Sequence, residues 1–407
     1  MPVIIKNRII YIQMEQIALL IFLVTYAGVA VGGIPGLALD RTGIALLGAI
    51  AMVVAKVLST RQAFDAIDTS TILLLYALMV ISAQFKLSGF YTLVAVRLTG
   101  LLARPRLFLL AVMACSGLLS AFLTNDIICL AFTPILCAAI LEAKLNPVPF
   151  LIGLAAASNI GSAATIIGNP QNMLLGQVGK LDFLGFTRLC LPPVLLSMAG
   201  AYAILFWLYR KQLPARQDIT RRPDRGYAAF SRHQTAKGLV VVLALVVMFL
   251  TRVPRELSAV ALAGFLLCSR RMKTRSLLGL VDWHLITLFC ALFVFMAGFA
   301  AAQLPRHLMA GLATRGLALD RAWHLTGLAA LLSNLVSNVP AVMLLVKFLD
   351  PLRPLQWVVT ALASTFAGNL ITIGSIANLI VIESAREYGV SVRFGEHARA
   401  GVPITIF

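Results

Sequence analysis

Charge is scarce in this chain. Only 12% of its 407 residues are Asp, Glu, Lys or Arg, about half the ~25% of an ordinary soluble domain. Acids number 16 and histidines 5. The 6 cysteines form no Cys-x-x-Cys pair and no Cys/His metal spacing, and read as small packing residues. No P-loop, His-Glu-x-x-His pair or Gly-x-Ser-x-Gly elbow is written anywhere. These absences exclude a soluble, disordered or disulfide-stapled protein. They also leave the chain without a P-loop nucleotide site.

What fills the chain is apolar: 60% of residues are hydrophobic and the mean hydropathy is +0.92. The charges bunch. None falls within 17–39, 107–125, 145–179, 189–209, 283–305, 322–346 or 354–382. A helix crosses a ~30 Å hydrocarbon core with ~20 mostly apolar residues. The reading is an all-α polytopic membrane protein. The first apolar run is too long for a cleavable leader, has no small-residue cleavage site, and is expected to stay as a membrane helix. Lys and Arg total 34, a net charge of +18. They sit between the apolar runs, as cytoplasmic loop charge does, so no nucleic-acid partner is expected. The clusters Arg97/Arg104/Arg106, 210–237 and Arg270–Arg275 fall on one side if the N-terminus lies outside.

The chain repeats itself. Ile67-Asp68 and Val281-Asp282 each precede an apolar helix, with the aspartates read as N-caps. SAFLTND (120–126) matches SNLVSNV (333–339). SNIGSAATIIGNPQN (158–172) matches GNLITIGSIAN (368–378), both ending Gly-x-x-x-Asn. Phe183, Arg188 and Pro192 match Phe394, Arg399 and Pro403 at identical spacings. Four matches in one order indicate internal duplication. The expected units are a first repeat over 1–209, a basic cytoplasmic linker over 210–237, and a second repeat over 238–407. Within the first, scaffold helices cover about 17–103, a hairpin and a broken helix about 107–180, and a closing helix 186–209. Five single crossings separate Asp68 from Asp282, so the second repeat is inverted. Seventeen residues follow Pro192 to Tyr209 but only four follow Pro403, so the last helix is read as truncated.

Two of the apolar runs, 145–179 and 354–382, are interrupted by Gly, Asn, Ser, Thr and Pro. Non-helical backbone at membrane depth survives only when buried in protein or lining a wet cavity. Paired interruptions point to a transporter's midplane site. Unwound helix ends offer N–H groups to an anion and carbonyls to a cation. The candidate site residues are Thr124, Asn125, Asp126, Asn159, Gly168, Asn169 and Asn172 in the first repeat. Ser337, Asn338, Asn369, Thr372, Gly374, Ser375 and Asn378 are their counterparts in the second. Asp126 is the one acid between Asp68 and Glu142. It is read as a carrier of coupling charge, for Na⁺ or H⁺, with helix capping as the alternative. The second repeat has Val339 in its place.

FLTNDIICLAFTPIL (122–136), ATIIGNPQN (164–172), LLSNLVSNVPAVMLL (331–345) and GSIANLIVIESARE (374–387) resemble the ion transporter superfamily. The likeness is to its arsenite permease/NhaD-type and citrate-transporter-like anion permeases, and more distantly to the divalent anion:sodium symporters. The resemblance implies a scaffold and a transport domain in each half. It places Thr124-Asn125 and Ser337-Asn338 at re-entrant hairpin tips, with 159–172 and 369–378 in unwound helices. Dicarboxylate members carry Ser-Asn-Thr at both tips; this chain does not. The expected activity is ion-coupled secondary transport of a small anion, an arsenite-like oxyanion or a carboxylate, by alternating access. Na⁺/H⁺ antiport and, from another class, an intramembrane enzyme are the alternatives. No cofactor is expected beyond the coupling ion. The expected partners are the lipid bilayer of a bacterial inner membrane and a small ionic substrate, with a homodimer left open.

Overall fold

A computed structural model describes residues 2–33, 36–217, 230–314, 316–317 and 319–407. Residues 218–229 of the expected linker lie outside it. The described residues form twenty α-helices and one 3-10 turn, without a strand. They fall into two series of ten. The first is α1 (Pro2–Val31), α2 (Arg41–Val54), α3 (Thr60–Asp65), α4 (Thr69–Leu87), α5 (Phe90–Thr99), α6 (Pro105–Phe122), α7 (Asn125–Glu142), α8 (Val148–Ser162), α9 (Pro170–Val178) and α10 (Phe183–Tyr209). The second is α11 (Arg232–Phe249), α12 (Arg255–Leu267), α13 (Thr274–Leu278), α14 (Trp283–Ala301), α15 (Leu304–Thr314), α16 (Ala322–Val336), α17 (Asn338–Leu345), α18 (Pro354–Ala367), α19 (Ile376–Arg386) and α20 (Phe394–Ile406), with the 3-10 turn at Thr372–Gly374. Seven of the described helices are long and apolar enough to span a membrane.

The scarce acids start helices. Asp40, Asp68 and Asp282 cap α2, α4 and α14, each accepting from a backbone N–H three residues on at 2.7–2.9 Å. Asp182 caps α10 in the same way. A capping carboxylate satisfies an amide that hydrocarbon could not. Prolines open α6, α9 and α18, where a missing N–H costs nothing.

Packing exchanges elements between the two series. α2 lies against α14, and in return α12 lies against α4. Within each series the first hairpin arm packs along the first half of the broken helix, α6 on α8 and α16 on α18. The α6–α8 approach is close enough that a methyl on Gly161 would strike the Gly117 backbone. Such small-residue contacts let membrane helices meet without a hydrophobic drive. Between Asp68 and Asp282, α4, α6, α7, α10 and α11 are long and apolar enough to span a membrane. The exchange is reciprocal, α2 on α14 and α12 on α4, as two inverted repeats that interlock would give.

Candidate functional site

The two broken helices cross where their helical halves end. α8 stops at Ser162 and α9 starts at Pro170; α18 stops at Ala367 and α19 starts at Ile376. One side chain closes each gap. Asn172 Nδ2 donates to the carbonyls of Thr165 at 3.0 Å and Ser162 at 3.4 Å. Asn378 Nδ2 donates to those of Ile371 at 3.2 Å and Gly368 at 2.7 Å. These are the same bonds at the same repeat positions. They occupy carbonyls that the helix breaks leave without an i→i+4 partner. Gly168 is required beside them, because a Cβ there would meet the Ser162 backbone.

Asn159 joins the halves. Its Nδ2 donates to Asn369 Oδ1 at 2.9 Å and Asn378 Oδ1 at 3.3 Å. Its Oδ1 accepts from Ser375 Oγ at 2.9 Å and from Asn125 Nδ2 at 3.3 Å. Asn159 lies in the last turn of α8. The expectation that it falls in unwound chain is corrected: the break begins four residues later, at Ala163, and Asn159 presents its amide from a helix. Asn169 Nδ2 reaches Ser162 Oγ at 2.9 Å and Thr365 Oγ1 at 3.3 Å. Asn338, with its amide turned toward acceptors, donates to the carbonyls of Ser364 at 3.0 Å and Gly374 at 3.2 Å. All seven asparagines are at most 7% exposed. Thr372 stands half-buried in the 3-10 turn, outside these bonds.

Ser162, Thr365 and Gln171 belong to the network and were not among the expected residues. Gln171 Nε2 donates to Thr365 Oγ1 at 3.3 Å, so Thr365 ties both Asn169 and Gln171 across the halves. Aligning Gly168 with Gly374 places Thr365 opposite Asn159, which is the signal that marks it. Nothing comparable marks Gln171, whose counterpart is Ala377.

The first turns of four helices meet at one small pocket of about 20 Å³. It is bounded by Asn125, Asp126, Gln171, Asn338, Val339 and Ser375, from α7, α9, α17 and the N-cap of α19. Helix N-termini carry partial positive charge, roughly half an elementary charge each. Asp126 is the second residue of α7, while the cap position belongs to Thr124. Asp126 therefore does not cap the helix, which corrects that alternative. It also borders a larger cavity of about 140 Å³ together with Thr124, Lys86 and Asp282. Among the described residues of the site, the buried Asn125 Oδ1, Asn172 Oδ1 and Asn369 Nδ2 have no hydrogen-bond partner. Unmet buried groups of this kind are costly unless a ligand answers them.

The hairpin tips differ in backbone. Thr124 is extended at φ −60°, ψ 126°. Ser337, between α16 and α17, has φ +74°, ψ 162°, a region essentially reserved for glycine. Of the cysteines, Cys129, Cys137 and Cys190 are buried, Cys115 and Cys290 are half-buried, and Cys268 is exposed.

The model of a family described as "Citrate transporter" matches residues 17–367. A silicon efflux transporter of Oryza sativa subsp. japonica is 29% identical, over 92% of this chain and 91% of its own. The inner membrane protein YbiR of Escherichia coli (strain K12) is 30% identical over 81% of this chain and 83% of its own. The crystal structure of the Alcanivorax borkumensis YdaH transporter superposes with a TM-score of 0.56 at 14% identity. It covers 97% of this chain and 95% of that one, a likeness of fold.

Proposed function

Because the chain belongs to the citrate transporter family, and so is an integral membrane transporter and not an enzyme, we propose that it moves a small oxyanion or carboxylate by alternating access. Asp126 carries the coupling charge. One observation bears most of the weight: Asp126 borders both the 140 Å³ cavity and the pocket where four helix N-termini meet. A carboxylate there faces the same positive helix ends that an anion would use. It competes with the anion when ionised and yields the place when protonated or paired with Na⁺. The orphaned Oδ1 of Asn125 calls for a donor, such as a substrate hydroxyl or a cation. The orphaned Nδ2 of Asn369 calls for an acceptor. A hydroxylated oxyanion or a carboxylate with its coupling ion supplies both. The bacterial inner membrane is the proposed location, by analogy with YbiR.

Asp126→Asn should reduce flux at least 100-fold in proteoliposomes while leaving membrane expression unchanged. Near-normal flux would remove Asp126 from the coupling role. A second reading, Na⁺/H⁺ antiport, is favoured by the same buried acid. Internal pH on Na⁺ addition, set against flux of arsenite and of citrate, separates the two.

A further inference from the structure

The 140 Å³ cavity has a counterpart. A second cavity, of about 170 Å³, is bounded by Ala66, Asp68, Leu174, Met343 and Lys347. The first is bounded at matching places by Leu280, Asp282, Ile380 and Leu130. Ala66 and Leu280 each stand two residues ahead of a capping aspartate. Leu174 and Ile380 each stand two residues past the asparagine that closes a helix break. The cavities also lie at opposite ends of one helix, because Asp68 caps the start of α4 and Lys86 lies in its last turn. Nineteen residues separate those ends by about 28 Å, so the cavities belong to opposite membrane faces.

One element is shared without being duplicated. Lys86 of the first cavity corresponds to Ala300 in α14. Lys347 of the second, just past α17, corresponds to Pro134 in α7. Duplication therefore does not account for the two lysines; each cavity takes its own from a different element. Neither ammonium has a hydrogen-bond or ion-pair partner within the described residues. Asp68 and Asp282 each spend Oδ1 on a backbone amide, and the first cavity is bordered by Asp126 as well. An unpaired cation beside a low-dielectric recess draws anions into it.

We propose that Lys86 and Lys347 are the anion-steering residues of two access vestibules, one on each membrane face, that serve a single central pocket. This rests on the transport reading above.

The test uses the full chain in oriented vesicles, with Leu280→Cys or Ala66→Cys as probe positions. Each is treated with membrane-impermeant anionic and cationic methanethiosulfonates from one face at a time. Labelling is read by mass at the probe peptide, so the native cysteines stay. The thiol at 280 should react from one face and that at 66 from the other. Lys86→Gln should lower the anionic-to-cationic rate ratio at 280 by about three- to tenfold and leave 66 unchanged; Lys347→Gln should do the reverse. Lys86→Arg and Lys347→Arg should keep the parental ratios, which separates charge from misfolding. Unchanged ratios, both lysines acting at one probe, or both probes reacting from one face would overturn the proposal. Citrate and arsenite flux is measured separately. Absent flux with the expected ratios would overturn the transport reading and leave the steering intact.

Discussion

Asn172 in the first repeat and Asn378 in the second each donate to two backbone carbonyls at equivalent repeat positions. The hairpin tips a few ångströms away share only an asparagine. One carries Asp126 and relaxed backbone; the other carries Val339 and a serine at φ +74°. The comparison separates two kinds of polar residue. Those that complete a broken helix are demanded by hydrocarbon wherever the break occurs, so both copies keep them. Those that border the central pocket are under no such demand, and the copies have diverged there.

The strongest way to break this comparison is to move the charge. Asp126→Asn combined with Val339→Asp restores a carboxylate to the central pocket but not to the 140 Å³ cavity, which Val339 does not border. Flux in proteoliposomes should stay at least 100-fold below the parent. Recovery to within tenfold would make the two tips interchangeable. A smaller effect tests the shared part. Asn172→Ala and Asn378→Ala each strand one carbonyl, that of Ser162 or Gly368, since Thr165 and Ile371 keep a backbone donor, and should each destabilise by about 1–3 kcal/mol. The thermal midpoints in detergent should fall together; a fall in only one would show that the two clamps are unequal. The smallest effect has opposite signs in the two halves. Ser337→Gly releases strained backbone and should stabilise by up to about 1 kcal/mol. Thr124→Gly frees an unstrained residue in the unfolded chain and should destabilise by a similar amount. Shifts of one sign in both would mean that Ser337 is not strained.

The sequence made the spans legible because hydrocarbon imposes length and apolarity on each crossing separately. The clamp asparagines were legible for a related reason: the duplication writes them twice at fixed spacing. Asn159 was located in sequence but misplaced in structure. Its Ser-Asn-x-Gly surroundings look like a helix break, yet Val148–Ser162 is fully buried and keeps its helix to the end. Gln171 was invisible because its partner, Thr365, lies in the other repeat. The lysine of each cavity escaped for the same reason. Lys347 reads as a snorkelling residue at the end of an apolar run until α4, α9 and α14 are brought around it.

The exchange of α2 and α12 between the repeats has a consequence for synthesis. Helix α4 leaves the ribosome long before α12, the helix that will cover one of its faces. Until then that face, buried in the finished protein, meets lipid or an insertion factor. The first repeat must therefore be held in the membrane as an unfinished assembly while about 170 further residues are translated. Pausing or truncating translation within that window should expose α4 to quality-control proteases that ignore the completed chain.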